Sequence, residues 1–293
     1  MTDPMEEGVL TLADGRLLAW AEWGDPRGAP TLFFHPCPGS RTLCPDPAAT
    51  ASAGVRLITV DRPGYGRSDP VPDPTLDGFA RDIERLLDHL WLGEVPVVGW
   101  SGGGQYAVAC AAALAERVRA LVLVATPAAE GQLRWLPAAL QRVADLAKAD
   151  PIRAFSAAVE WAAPLASAGE WAAKGWNSPL DLATRSRPGV ERALKAMFGE
   201  ALRAGVEGVA ADVVALTRRW GCDLSQVRTP VTLLYGQQDQ EIDPAHGRWW
   251  AQTLPRSRLT IRSDGGHLLP FVAWADILRA VSEPPAQERP PGR

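Results

Sequence analysis

The sequence predicts an α/β fold in which a mostly parallel sheet is flanked by helices and interrupted by a helical cap insert. Short apolar runs of strand length alternate with segments of helical spacing in the first and last parts of the chain. Alternation of this kind builds a parallel sheet through right-handed crossovers. Between these parts, residues 128–225 are rich in Ala, Trp and Arg and show no clear strand pattern.

The elements of the first part follow a regular order. A hairpin is predicted first, and two buried strands come after it. A helix with apolar side chains on one face follows, and then a strand, a helix and another strand. The predicted ranges are, in order, 9–12 and 17–23 for the hairpin, 30–35, 56–61, 77–92, 95–100, 102–115 and 119–124.

The pattern of strand and helix resumes after the insert, with strands at 230–235 and 258–261 and helices at 244–254 and 269–281. The last eleven residues contain four prolines, a composition typical of disorder. The predicted division of the chain is 1–127 for the first part of the core, 128–225 for the cap, 226–282 for the second part of the core and 283–293 for a disordered tail.

Composition narrows the class of protein. The chain has 293 residues, of which 46% are hydrophobic and 22% charged, with a formal net charge of -4. These values are ordinary for a globular protein and argue against nucleic-acid or membrane partners. The acidic N-terminus lacks a signal-peptide pattern, and the four cysteines show neither a CxxC pair nor metal-ligand spacing. We expect a cytoplasmic monomer or homodimer that acts on a small molecule without metal or other cofactor.

A candidate nucleophile lies where a predicted strand meets a predicted helix. Residues 99–103 read Gly-Trp-Ser-Gly-Gly and fit the G-x-S-x-G pattern around Ser101. A nucleophile on such a strained turn needs small neighbours, and the glycines supply them. The N-terminus of the following helix adds backbone N–H donors for a developing negative charge.

Four histidines are candidates for the base that a serine hydroxyl requires. His89 and His246 fall within predicted helices and have structural interpretations, and His35 is expected to order the loop after its strand. His267 follows two glycines after the last predicted strand. The chain order serine, acid, histidine selects His267.

The acid that orients this histidine is expected after the strand at 230–235. Asp239 lies near the carboxyl end of that strand, where functional groups gather in open α/β sheets. Asp243 precedes Pro244 and fits a helix N-cap. Glu241 is a further alternative, so Asp239 is the first of three candidates.

Two backbone N–H groups are needed to stabilise an oxyanion. Gly102 directly follows the candidate nucleophile and supplies one. The loop after the strand at 30–35 supplies the other, and because Pro36 and Pro38 have no N–H, Cys37 is the natural donor. The Cys37 side chain is interpreted either as a small buried filler or as a thiol facing the pocket. Substrate contacts are expected from Trp100 and His35.

The chain has twelve tryptophans, and five of them fall between residues 128 and 225, in the predicted insert. Core packing is one interpretation, and an aromatic wall over a substrate pocket is the other. The two interpretations are compatible for different members of the set, which is Trp135, Trp161, Trp171, Trp176 and Trp220.

Taken together, these motifs resemble the α/β-hydrolase superfamily over most of residues 8–281. Residues 34–41, Phe-His-Pro-Cys-Pro-Gly-Ser-Arg, resemble the His-Gly-x-Pro oxyanion loop of that family. Residues 61–69, Asp-Arg-Pro-Gly-Tyr-Gly-Arg-Ser-Asp, resemble the Asp-x-Pro-Gly-x-Gly-x-Ser turn of its esterase, epoxide-hydrolase and C–C-hydrolase branch. One departure is Pro36, which stands where the family usually has Gly.

The resemblance implies a serine hydrolase that cleaves an ester, thioester, lactone or amide bond through an acyl-serine. The tryptophans favour a small, apolar or aromatic substrate. Serine rather than aspartate at position 101 argues against epoxide-hydrolase and dehalogenase chemistry. Two alternatives stay open: C–C hydrolysis or non-hydrolytic lyase, cyclase or acyltransferase chemistry at the same site, which Pro36 favours, and a ligand-binding protein without catalysis.

Overall fold

Eight strands form a single sheet in the computed structural model, which describes residues 3–129, 131–166, 176–218 and 220–283. Seven of the eight have mostly buried or half-buried side chains, which agrees with a sheet covered on both faces. The strands are β1 Glu6–Thr11, β2 Leu17–Gly24, β3 Ala29–Phe34, β4 Val55–Val60, β5 Val95–Trp100, β6 Val118–Val124, β7 Val231–Gly236 and β8 Ser257–Arg262.

The spatial order of the strands is β1-β2-β4-β3-β5-β6-β7-β8. The pairs β1–β2 and β2–β4 are antiparallel, and every other neighbouring pair is parallel. The predicted mostly parallel sheet is therefore confirmed. Because the parallel strands all end at one edge, the loops that follow β3, β4, β5, β7 and β8 meet there.

Helices connect the strands and supply the two faces of the sheet. Among the described residues they are α1 Pro47–Ser52, α2 Leu76–His89, α3 Gly102–Ala113, α4 Ala138–Ala149, α5 Pro151–Ala162, α6 Pro179–Arg185, α7 Val190–Ala201, α8 Glu207–Thr217, α9 Pro244–Thr253, α10 Leu269–Val272 and α11 Trp274–Ser282. Two short 3-10 turns are also present, at Ala163–Leu165 and Leu224–Gln226.

Helices α4 to α8 all lie between β6 and β7, in the stretch predicted to be a cap. No strand occurs in the described part of that stretch. Two predicted features fall outside the described residues: Trp171 and the tail from residue 284 onward. The division into core and cap domains stays a prediction.

The structure corrects the predicted helices in three places. Helix α2 ends at His89 rather than at residue 92, and α1 was not predicted. The single helix predicted at 269–281 is two helices, because the backbone at Ala273 leaves the helical conformation. Directly after the break, Trp274 packs edge-on against Phe33 of β3, and its indole N–H donates to Thr50 Oγ1 at 2.8 Å.

No helix in the described ranges is long and apolar enough to cross a membrane. In the same ranges, no group of three or more His, Cys, Asp or Glu side chains is arranged to hold a metal ion.

Candidate active site

Ser101 lies at the sharp turn between β5 and α3. Its backbone has φ 54° and ψ -127°, a conformation that is rare for a residue with a side chain and costs on the order of 1–3 kcal/mol. The turn is fixed on the strand side, because the Ser101 N–H donates to the Val124 carbonyl at 2.8 Å. The half-buried serine is therefore held in a strained position at the carboxyl edge of the sheet.

The glycines around Ser101 are required by close packing. A Cβ on Gly99 would overlap the backbone of Gly104, and a Cβ on Gly103 would overlap the carbonyl oxygens of His35 and Phe34. The turn and the loop after β3 thus approach each other backbone to backbone, which the pattern of small residues around the serine predicts.

His267 and Asp239 meet at the same edge of the sheet. His267 Nδ1 lies 2.9 Å from Asp239 Oδ2, and both side chains are buried. The other Asp239 oxygen accepts the N–H groups of Glu241 and Ile242, each at 2.9 Å. A carboxylate oxygen accepts hydrogen bonds and does not donate them, so Nδ1 of the imidazole carries the proton. Nε2 is then the unprotonated, basic nitrogen.

Two opposing effects set the pKa of His267. Burial lowers it, but the charge of Asp239 and its hydrogen bond outweigh that effect, with smaller contributions from Glu241 and Asp181. The net result is a pKa raised above the ordinary histidine value of 6.5.

The other two candidate acids point elsewhere. The exposed Asp243 caps α9, where its Oδ1 accepts the Ala245 N–H at 2.7 Å. Glu241 is exposed and acts on His267 only through its charge. Of the three candidates, Asp239 is the one in contact with the histidine.

Trp100 links the serine turn to the histidine loop. Its indole N–H donates to the His267 carbonyl at 3.0 Å, and the two rings lie 5.8 Å apart. No described residue hydrogen-bonds the Ser101 hydroxyl. In enzymes without substrate, the bond between nucleophile and base is often long and shortens only in the complex.

The two predicted oxyanion donors are neighbours. A Cβ placed on Gly102 would lie 3.7 Å from the Cys37 nitrogen and 3.2 Å from the Cys37 Cβ. Neither N–H group has a backbone acceptor in the described part of the chain, as expected for Gly102 at the first position of a helix.

The Cys37 thiol lies 3.6 Å from the hydroxyl of Tyr65. Burial first, and then the negative charge of Asp212, raise the pKa of the thiol far above its ordinary value. A thiol whose pKa is raised in this way is a poor nucleophile near neutral pH.

The two expected substrate contacts lie beneath the surface. Trp100 has no exposed area, and its N–H is already bonded to the histidine loop. His35 is 1% exposed, with Nδ1 2.8 Å from the Pro36 carbonyl and Nε2 3.4 Å from the Arg62 nitrogen. Both side chains organise the loops of the site, so the geometry does not favour a direct substrate role for either.

A family model for the alpha/beta hydrolase fold matches residues 30–273, which include all five proposed catalytic and oxyanion residues. The chain belongs to this family.

Individual relatives of this α/β hydrolase differ in their activities. A proline iminopeptidase of Neisseria gonorrhoeae is 33% identical over 124 residues, which are 41% of this chain and 40% of that protein. A pimeloyl-[acyl-carrier protein] methyl ester esterase of Nitrosomonas europaea is 29% identical over 77% of this chain and 82% of its own length. A thermophilic esterase of Thermogutta terrifontis has a TM-score of 0.67 at 26% identity, covering 95% of this chain and 97% of that one.

The insert of this α/β hydrolase contacts the histidine loop directly. Trp176 has a left-handed backbone, φ 59°, and stacks on His267 with ring centroids 5.8 Å apart and an angle of 22°. Its other neighbours are Phe198, at 5.5 Å, and Trp100. Trp176 thus agrees with the prediction of an aromatic residue at the site.

The other described tryptophans of the predicted set are half-buried and pack against the interior. Trp220 stacks on Trp250 with centroids 6.0 Å apart, and Trp135 and Trp161 pack against buried apolar clusters. They agree with the simpler interpretation of core packing.

Three buried polar residues that contact these loops are not predicted by the sequence motifs: Asp181, Asp212 and Arg62. Asp181 follows Ser178 by three positions, a pattern that indicates only the start of a helix. Asp212 lies in the middle of helix α8 with apolar residues on both sides, and an acidic residue within such a run is a signal for a buried, paired charge.

Proposed function

We propose that the protein is a serine hydrolase that cleaves an ester-type bond through an acyl-serine intermediate. The observation that carries the proposal is the buried His267–Asp239 pair, whose histidine loop is hydrogen-bonded by Trp100, the residue before a serine on a strained turn. In this reaction His267 takes the Ser101 proton, Asp239 stabilises the imidazolium that forms, and water then releases the acyl group with His267 again as base.

The oxyanion of the tetrahedral intermediate would accept hydrogen bonds from the N–H groups of Cys37 and Gly102. These donors lie on opposite loops and have no backbone acceptor among the described residues. In other enzymes, removal of one preorganised donor of this kind lowers kcat by about 10²–10³.

An apolar or aromatic substrate is supported by the side chains around the proposed oxyanion site. Leu216 Cδ1 would lie 3.1 Å from a Cβ on Gly102, and Trp176 covers one face of His267. The names of the relatives include an esterase and a peptidase, so the experiment compares substrates with different scissile bonds.

A substrate panel tests the proposal. Wild type and Ser101→Ala would be compared on p-nitrophenyl esters of increasing acyl length, an aryl acetate, an aryl thioester, a lactone and proline β-naphthylamide. We expect turnover of at least one ester-type substrate and a loss on the order of 10⁶ in kcat without the serine. Full turnover by Ser101→Ala, or no turnover of any member by wild type, would contradict the proposal.

The non-hydrolytic alternatives at the same site are distinguished by the fate of water. In H₂¹⁸O, hydrolysis through an acyl-serine places one ¹⁸O in the released carboxylate. Acyl transfer to another acceptor would give a product without the label, and would replace the hydrolytic proposal by transferase chemistry.

A further inference from the structure

A fully buried arginine connects the insert to the loop that carries the proposed oxyanion donor. Arg62 directly follows Asp61 after strand β4 and has no exposed area. Its Nε and Nη2 donate to the two oxygens of Asp212, the first at 3.0 Å. Its Nη1 donates to the His35 carbonyl, and Nη2 also donates to the Pro36 carbonyl at 2.9 Å. One guanidinium therefore bridges helix α8 and the loop after β3.

The Asp212 carboxylate, like the Arg62 guanidinium, has several hydrogen-bond partners. It accepts the hydroxyl protons of Tyr65 at 2.9 Å and Tyr106 at 2.8 Å, besides the two guanidinium bonds. The Arg62 guanidinium also lies over both tyrosine rings, 5.4 Å and 4.9 Å from their centroids. Two parallel hydrogen bonds join the guanidinium to the carboxylate, and each group also has further hydrogen-bond partners. The orientations of both groups are therefore fixed.

The contact with the Pro36 carbonyl matters because of peptide geometry. The Pro36 oxygen and the Cys37 N–H belong to one planar trans unit, so they point in opposite directions. His35 Nδ1 lies 2.8 Å from the same oxygen, and since a carbonyl only accepts, that nitrogen carries its proton. Two donors thus hold the oxygen, and they thereby fix the direction of the Cys37 N–H.

Helix α8 also contacts Gly102, which supplies the second proposed oxyanion donor. Asp212 and Leu216 are four residues apart on α8 and therefore share a face. Leu216 packs toward Gly102, which supplies the other proposed donor. The face of α8 that anchors Arg62 is therefore also in contact with the oxyanion site.

We infer that Arg62, anchored by Asp212, is a positioning residue that holds the Cys37 N–H in place for the oxyanion. This inference rests on the proposed function, because it assigns a role in stabilising the same intermediate. It makes the catalytic geometry depend on a contact between the insert and the sheet.

The test compares Arg62→Met, Asp212→Asn and the double variant Arg62→Met/Asp212→Leu with wild type. The double variant removes both charges, so that no unpaired carboxylate is left buried if the single variant folds poorly. For an ester that wild type hydrolyses, kcat and KM are measured together with the Ki of an aryl trifluoromethyl ketone. That ketone forms a hemiketal oxyanion with a nucleophilic serine.

We expect Arg62→Met and the double variant to lower kcat about 10- to 100-fold, below the full loss of one donor, with KM changed less than about threefold. The Ki of the ketone should rise by the same factor as kcat/KM falls. Asp212→Asn should give a smaller effect of the same pattern. Folded variants with wild-type kcat and Ki would overturn the inference, as would a loss of kcat/KM with unchanged Ki.

The matched control is Arg56→Met. Arg56 also forms a double ion pair, with the buried Glu22, but near the opposite end of strand β4. We expect reduced thermal stability and unchanged kcat for this variant. A drop in kcat equal to that of Arg62→Met would show that any lost ion pair has this effect, and would overturn the inference.

One readout does not depend on turnover. The carbonyl ¹³C resonance of Pro36 reports hydrogen bonds to its oxygen, and we expect it to shift in Arg62→Met but not in Arg56→Met. If wild type hydrolyses nothing and yet this resonance shifts, the proposed function fails while the anchoring contact stands. If wild type hydrolyses esters and the resonance does not shift, the inference alone fails.

Discussion

Asp181 accepts the backbone N–H of Leu268 at 2.8 Å, although the two residues are 87 positions apart in the chain. Leu268 directly follows His267, so a carboxylate on the insert holds the loop of the proposed base. The second Asp181 oxygen accepts the Ser178 hydroxyl at 2.6 Å, and Asp181 is 1% exposed. Together with the stacking of Trp176 on His267, this contact makes the insert part of the support of the site.

Replacing Asp181 should therefore affect both stability and turnover. Asp181→Ala leaves the buried Leu268 N–H without an acceptor, which costs about 1–3 kcal/mol. We expect a lower Tm and a kcat reduced about tenfold as the histidine loop relaxes, because small displacements of a catalytic group are costly. Asp150→Ala is the control, since Asp150 caps α5 in the same insert at an exposed position. A destabilised Asp181→Ala with wild-type kcat would limit the contact to a structural role.

Asp239→Asn should keep the shape of the site but lose the charge that stabilises the imidazolium. The expected fall in kcat is about 10³–10⁴, comparable with the same change in other serine enzymes. Stopped-flow measurement of acylation separates this effect from slow product release. The matched variant is Asp243→Asn at the cap of α9, for which we expect unchanged acylation. Equal losses in the two variants would contradict the assignment of the acid.

The raised pKa of His267 predicts the acid limb of the pH profile. The imidazole must be neutral to accept the serine proton, so kcat/KM should fall as pH decreases through an apparent pKa above 6.5. Removing the nearby charge lowers that pKa, and Glu241→Gln should therefore shift the limb slightly toward lower pH without changing the plateau. A limb that moves to higher pH in Glu241→Gln would contradict the electrostatic account.

The raised pKa of His267 also makes the free energy of unfolding depend on pH. A histidine whose pKa is raised in the folded state contributes stability below its unfolded pKa, and the contribution is lost as pH rises through the folded value. The difference in free energy of unfolding between wild type and Glu241→Gln should therefore be larger at pH 6 than at pH 9. Urea unfolding at the two pH values measures it, and a difference that is larger at pH 9 would reverse the assigned sign.

The glycines of the serine turn allow a paired test of packing. In Gly103→Ala the new methyl group would overlap the His35 and Phe34 carbonyl oxygens, so the loop after β3 must move. We expect a loss of at least about 2 kcal/mol in stability and of most activity. Gly199→Ala is the control, because a Cβ there meets nothing within 4 Å on the exposed side of α7. It should gain up to about 1 kcal/mol with unchanged kcat.

The features that could be predicted from the sequence are those encoded locally. The apolar runs predict the parallel sheet, and the glycines around Ser101 predict a tight strand-to-helix turn, since both depend on neighbours in the chain. The pairing of Asp239 with His267 was one of three alternatives, because three carboxylates lie within seven residues after β7. Only the folded chain shows which of them faces the imidazole.

The supporting contacts could not be predicted because they join distant segments. Arg62 and Asp212 are 150 positions apart, and no sequence pattern around either residue indicates that the two form an ion pair. For the same reason the sequence does not show that the side chains of Trp100 and His35, which are expected to contact substrate, lie buried among the loops of the site.

Covalent labelling shows directly whether Ser101 is an activated nucleophile. Folded wild type would be treated with a fluorophosphonate, and the modified residue identified by intact mass and peptide mapping, alongside Ser101→Ala. We expect a single adduct on Ser101, formed faster at pH 8 than at pH 5, and no adduct in the variant. Folded wild type that stays unlabelled, or an equally labelled Ser101→Ala, would contradict it.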